Sequence, residues 1–315
     1  MSLNIKSLSA TEKKRIDRLK NKRGRNNPAK VPARLTRTSA FAPRRRGLIT
    51  DTNFSRIYVV PGHSVVKVTG RELGTQHRDA LYGLFRQKYS SITINDDESP
   101  IGKTVLHIVK TTWRDILKAM RLTEHANNVA SVALAFEEIM SVLMVVYEGN
   151  EEAILQSLLN GKMPNAKYQS RHIIHEFTAM DLGLDNEVQI IYGPWISDSM
   201  SRLRLVSLNA DVHFRLTSDY AKCFWPFIDG LPNNIWVDED VLGSLVGRDI
   251  WAAEESSTTR REFRRNCRNA FDNMVKAGGL KSWTIEVLGS GRRKKHRYHY
   301  TPMLAMQMEL ELNAS

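Results

Sequence analysis

The stretch Thr259-Arg260-Arg261-Glu262-Phe263-Arg264-Arg265-Asn266-Cys267-Arg268-Asn269-Ala270-Phe271-Asp272-Asn273-Met274-Val275-Lys276 writes two patterns onto one helix. Phe263, Cys267, Ala270, Phe271, Met274 and Val275 recur at helical spacing and predict an inward face. Arg260, Arg261, Arg264, Arg265 and Arg268 fall at i, i+1, i+4, i+5 and i+8, which predicts one exposed cationic stripe on the N-terminal half. Ser256 to Thr259 supplies start signals, and Gly278-Gly279 supplies the stop. Strand-like residues 282–288 follow, then Gly289-Ser290-Gly291, the run Arg292-Arg293-Lys294-Lys295-His296-Arg297, and a second strand-like stretch to Thr301. A helix of this kind followed by a hairpin with a basic tip predicts a recognition helix and its wing. Guanidinium forks suit guanine O6 and N7, and a cationic tip suits phosphates. The candidate DNA contacts are therefore Arg260, Arg261, Arg264, Arg265 and Arg268 on the helix, with Arg292, Arg293, Lys294, Lys295 and Arg297 on the wing.

Upstream, Ser218 is placed to cap a helix reaching about Ile228, with Ala221, Phe224, Trp225 and Ile228 inward and Pro226 expected to kink its last turn. Asp238 opens a short helix carrying Val241, Leu242 and Leu245. Residues 203–302 thus read as one winged-helix domain, the main DNA reader, followed by a tail at 303–315. Residues 48–202 read as an earlier winged-helix domain. Its strands are expected at 57–60 and 65–68, a helix at 76–88, a strand at 104–109 and a helix at 113–120. A long helix is expected from Asn127 or Asn128 to about Tyr147, deeply buried because its apolar positions nearly encircle it. A short helix over 151–160, a loop over 161–169 and strands at 172–177, 188–192 and 203–206 complete the pattern.

Charge is localised. The 315 residues carry a net +12, of which residues 1–47 hold +13 and residues 256–300 hold +9, leaving −10 on the remainder. Two cationic segments on an acidic body suit a polyanionic partner met at defined places. Residues 1–47, rich in Lys, Arg, Asn and Pro, read as a basic arm that is mostly disordered when free and adds non-specific DNA affinity. From Leu122 to Gly161 there is no Lys or Arg, so the first domain is expected to serve self-association and docking, the alternative being DNA contact through its loops and the arm. The fold class is α+β, two winged-helix domains preceded by that arm. Cys223 and Cys267 share no ligand spacing and read as buried thiols. No apolar stretch follows the basic N-terminus, and the most apolar run, Ile139 to Tyr147, is too short to span a bilayer; a cytoplasmic, DNA-associated protein is the expectation.

Three motifs invite other chemistry. Gly102-Lys103-Thr104 lacks the upstream glycine of a Walker A loop, where Asp97 stands instead. His172 and His175 with Glu176 do not follow a zinc-protease order, and on a strand the two histidines point to opposite faces. His296-Arg297-Tyr298-His299-Tyr300 has the residue types of a nicking site but no evident acidic ligand, although Tyr298 and Tyr300 are also candidates to stack on bases. No metal, cofactor or catalytic residue is expected.

Several short motifs resemble the TrfA/RepA-type initiators of theta-replicating plasmids. Arg37-Thr38-Ser39-Ala40-Phe41 resembles that family's Arg-Ser-x-x-Phe stretch, and Thr69-Gly70-Arg71-Glu72-Leu73 followed by Asp79 is similar to its first strand-to-helix turn. Ser99-Pro100-Ile101-Gly102 resembles its Pro-Ile-Gly turn, and Leu216-Thr217-Ser218 with Ala221-Lys222, Phe224 and Phe227 resembles the opening of its second winged helix. The resemblance spans roughly residues 37–300, with 148–200 hard to align. It implies binding of directly repeated sequences at a plasmid replication origin, opening of an adjacent AT-rich region, and recruitment of the host initiator and replicative helicase. It also implies dimers that repress and monomers that initiate. Rival readings are a winged-helix transcriptional regulator, a DNA-nicking or primase-like enzyme, and a structural or RNA-binding basic protein.

Overall fold

A computed structural model describes residues 28–37, 40–60, 64–95, 103–231, 235–252, 256–291 and 294–303. The first half begins with strand β1 (Ala29–Pro32) and the hairpin β2 (Phe54–Val60) and β3 (Ser64–Gly70). Helix α1 (Thr75–Leu84), strands β4 (Tyr89–Asn95) and β5 (Lys103–Thr112), and helices α2 (Trp113–Ala119) and α3 (Ala126–Met140) follow. Then come β6 (Leu143–Glu148), α4 (Glu151–Leu159), β7 (Lys167–His172), β8 (Ile174–Ala179), β9 (Glu187–Tyr192), α5 (Pro194–Ser201) and β10 (Leu205–Leu208). The second half contains α6 (Ala210–Arg215), α7 (Asp219–Gly230), β11 (Trp236–Asp238), α8 (Glu239–Leu245), α9 (Ser257–Lys276), β12 (Leu280–Leu288) and β13 (Lys295–Pro302).

Both halves are winged helices. In the second, α7, α8 and α9 pack on an antiparallel sheet of order β11-β13-β12. In the first, α1, α2 and α3 take the same places, and the β8–β9 hairpin returns beside β5 in a sheet of order β4-β5-β9-β8. Between α3 and β8 the chain makes an excursion, β6–α4–β7, which joins the β2–β3 hairpin in a second sheet of order β2-β3-β6-β7. One core runs from Ala29 to Ala210, with Trp113 stacked on Phe136 at 6.3 Å and Phe177 edge-on to both. A second core begins at Val212 and runs to Tyr300, built on Phe224, Trp225, Phe263 and Phe271. We therefore propose the domain boundary at 210–212 rather than at 202/203.

A buried polar contact joins the halves. Asp79 of α1 accepts from His213 of α6 at 2.9 Å and pairs with Lys222 of α7. Arg78 donates to the Lys222 carbonyl at 2.8 Å and lies 5.0 Å over the Phe41 ring. Thr75 donates to Asp219 at 2.7 Å, and Arg86 to Asp211 at 3.1 Å.

Two expectations change. The long helix predicted to Tyr147 stops at Met140, and residues 143–148 are strand. Met144 and Val146 face the main core, while Tyr147 and Val145 meet Ile154 and Leu158 of α4 on the other side. A strand covered on both faces loses its alternation and reads like a buried helix. The N-cap of α3 is His125, whose ring accepts from Asn127 N at 3.1 Å. In the expected disordered arm, residues 1–27 lie outside the described residues, but Ala29, Val31, Leu35 and Phe41 are buried in the first core. β1 pairs with β10 through Ala29↔Leu208 and Val31↔Val206. Its basic neighbours hide those few apolar positions in the sequence.

Candidate nucleic-acid interface

Helix α9 starts where its cap requires: Ser256 Oγ accepts from Thr259 N at 3.1 Å. Phe263, Cys267, Ala270, Phe271 and Met274 are buried as the spacing predicts, and Phe271 stacks on Tyr298 of β13 at 5.0 Å. The glycine pair closes the helix. Gly278 has φ +74°, and a Cβ on Gly279 would lie 2.6 Å from the Trp225 indole. The absence of a side chain lets the chain turn from α9 into β12 against α7.

The arginine stripe divides into two rows with different tasks. Arg261 and Arg265 are exposed, one turn apart, and Arg265 lies 3.4 Å from Glu262. Arg260, Arg264 and Arg268 are half-buried along the flank. Arg260 donates to the Ile250 carbonyl at 3.1 Å and stacks 4.4 Å over Trp251. Arg264 forks onto both carboxylate oxygens of Glu239 at 2.7 Å each and also donates to the Lys294 carbonyl at 2.5 Å. Glu239 is 0% exposed, and its hydrogen bonds raise the Arg264 pKa above the ordinary arginine range.

The wing is held from the same place. Lys295 donates to Asp240 at 2.5 Å, and its ammonium is 5.4 Å from the Trp251 ring. Arg297 forks onto Asp238 at 2.7 and 3.1 Å and stacks 3.9 Å over Trp236. These carboxylates raise the pKa of Lys295 and of Arg297. Lys294 is exposed; Arg292 and Arg293 lie outside the described residues. The run Asp238-Glu239-Asp240 at the start of α8 thus holds one cation from α9 and two from β13. The sequence reading missed this latch, although three consecutive acids beside two basic stretches were its signal. Arg261, Arg265 and Lys294 are exposed and take no part in this latch, on a helix and a hairpin locked to each other.

The other motifs resolve differently. Lys103-Thr104 opens strand β5, whereas a Walker A loop must open a helix; Gly102 is outside the described residues. His172 ends β7 with Nδ1 2.9 Å from the Val142 carbonyl, and His175 lies on β8 beyond the buried Ile173. Tyr298 and Tyr300 are buried in the second core, so neither ring is available to stack on bases. Burial also pushes the Tyr298 phenol pKa upward, away from a nucleophile's range. His299 does have an acidic neighbour the sequence reading did not find, Glu286 at 2.8 Å across the β12–β13 pair. Among the described residues no three His, Cys, Asp or Glu side chains gather as metal ligands. Cys223 and Cys267 are free and buried.

The corresponding face of the first domain is rich in acids, two of which meet arginines from outside it: Arg71 pairs with Glu138, and Arg114 forks onto Asp185 at 2.7 and 2.9 Å. Helix α3 and residues 174–192 contain no Lys or Arg and hold six acids, Glu137, Glu138, Glu176, Asp181, Asp185 and Glu187. Leu134, Met180 and Leu182 are exposed there.

No family model and no curated protein matches the chain. Among solved structures, it is similar to the crystal structure of domains 2 and 3 of RctB, with a TM-score of 0.51 and 9% identity over 86% of this chain and 98% of that one. A second crystal structure of RctB domains 2–3 gives 0.49 and 10%, covering 89% and 99%. The Pi initiator protein in complex with iteron DNA gives 0.49 and 13%, covering 73% and 92%. The chain shares the overall fold of RctB domains 2 and 3.

Proposed function

We propose that this protein is a sequence-specific DNA-binding initiator of plasmid replication, acting by binding and assembly with no catalytic residue of its own. The observation that carries DNA binding is the pair Arg261 and Arg265, exposed on the N-terminal half of α9 beside the exposed Lys294 of the wing. That half of a recognition helix meets base edges, and the wing meets phosphates. Arg260 and Arg268 flank the reading pair, and the sequence assigns further phosphate contacts to Arg292 and Arg293, outside the described residues. Arg264, Lys295 and Arg297 set helix and wing in place through the acidic run of α8. The first domain, acidic on its corresponding face, serves docking and self-association. Replication, and with it host initiator and helicase contacts, rests on the family resemblance. Among the described residues no helix is long and apolar enough to cross a membrane.

Binding to repeat-containing origin duplex and to scrambled duplex at ~150 mM salt tests the reading. A preference of ~10³ or more, lost in Arg261→Ala/Arg265→Ala, is expected. If ~6–10 phosphates are contacted, affinity falls by ~10³–10⁵ between ~50 and ~200 mM salt, and a flat response contradicts the electrostatic part. Maintenance of an origin plasmid when the gene is supplied in trans separates an initiator from a transcriptional regulator.

A further inference from the structure

A groove lies where the first winged helix would present its recognition surface. Ala133 and Met140 of α3 form one wall, and Phe177 and Ala179 of β8 with Leu182 of the hairpin tip form the other, around about 370 Å³. Leu134 is 54% exposed, Leu182 49% and Met180, at the same tip, 89%. Glu137 and Asp181 stand on the rim. Glu137 pairs with no cation among the described residues, and Asp181 accepts from Gly183 N at 2.6 Å within its own turn. Duplex DNA does not fit this surface, because the rim acids Glu137 and Asp181 pair with no Lys or Arg among the described residues and repel phosphates. An exposed apolar trough with an anionic rim instead complements a cationic, amphipathic chain segment.

The protein carries such a segment. Residues 1–27, ahead of the first described residue, hold nine Lys or Arg against Glu12 and Asp17. Ile5, Leu8, Ile16 and Leu19 recur in the sequence at helical spacing, with Lys13, Lys14, Arg15, Arg18 and Lys20 among them. We propose that the groove between α3 and the β8–β9 hairpin is a docking site for the chain's own segment Ile5–Lys20, whose Ile16 and Leu19 fill the trough while its cations meet Glu137 and Asp181. Docking does not depend on the replication reading. Where the protein binds DNA, a seated segment is withheld from phosphates, so the groove restrains non-specific binding.

The full chain carrying the photo-crosslinker benzoylphenylalanine in place of Met180 tests this without DNA. After irradiation and digestion, adducts are expected within residues 5–20. Glu137→Lys, at an exposed position, should lower their yield several-fold, and Lys13→Glu/Lys14→Glu in the same chain should restore it. Adducts confined to another surface, such as α3 of a second copy, or a yield indifferent to both charge changes, overturn the docking. Saturating scrambled duplex is expected to reduce the yield, and an unchanged yield overturns the withholding.

Discussion

Arg264 and Arg265 are sequence neighbours with opposite tasks. Arg264 neutralises Glu239, which is wholly buried, whereas Arg265 faces solvent. Removing one partner of a buried pair leaves the other charge stranded, at a cost of about 3 kcal/mol or more. Arg264→Ala is therefore expected to lower folding stability by about 3 kcal/mol in urea titrations, and Arg261→Ala by no more than about 0.5 kcal/mol. For DNA affinity the order reverses per unit of stability: Arg261→Ala loses ~1–3 kcal/mol of sequence discrimination while the fold stays intact. A stable Arg264→Ala variant would contradict the latch. The arginine stripe was legible from spacing alone. Its division was not, because the partners of Arg260 and Arg264, namely Ile250, Trp251 and Glu239, lie outside α9, and helical periodicity says nothing about a neighbouring element.

At the scale of elements, α9 was readable from end to end, since its cap, its two faces and its glycine stop all agree. Gly279 adds a prediction. A methyl there meets the Trp225 ring at 2.6 Å and Val212 at 2.9 Å, so Gly279→Ala should cost ~1–3 kcal/mol through overpacking. Gly278, with only positive φ at stake, should cost less on the same change, about 1 kcal/mol. Equal losses in thermal or urea unfolding would show that the close approach of α7 is unimportant. The α3–β6 break was illegible for a different reason: the Val142-to-Tyr147 run is apolar on both faces because α4 covers the side that would ordinarily be wet. β1 escaped notice because its partner β10 lies at the far end of the first domain.

Across the whole molecule, the contact between the halves is both buried and titratable. Burial is the largest influence on His213 and, together with the neighbouring Lys222 and Arg78, lowers its pKa although Asp79 raises it. Burial alone would raise the Asp79 pKa, but His213 and Lys222 outweigh it and hold that carboxyl below its ordinary range. Each depressed value means that the unfolded chain takes up protons first, so stability is highest at neutral pH and falls on the acid side. The His213 contribution fades as pH drops below ~6.5, and the Asp79 contribution only below ~3.9. Urea unfolding at pH 7.5 and 5.5 should show the loss in wild type and a shallower one in His213→Gln; identical pH responses would remove His213 from the account. With Arg261 and Arg265 exposed on α9 and no Lys or Arg on α3, DNA recognition is expected to rest on the second domain. The decisive measurement is duplex affinity at ~150 mM salt, origin repeat against scrambled, for wild type and Arg261→Ala/Arg265→Ala. A preference of ~10³ or more in the wild type that vanishes in the variant is the predicted result, and an undiminished preference in a folded variant would contradict it.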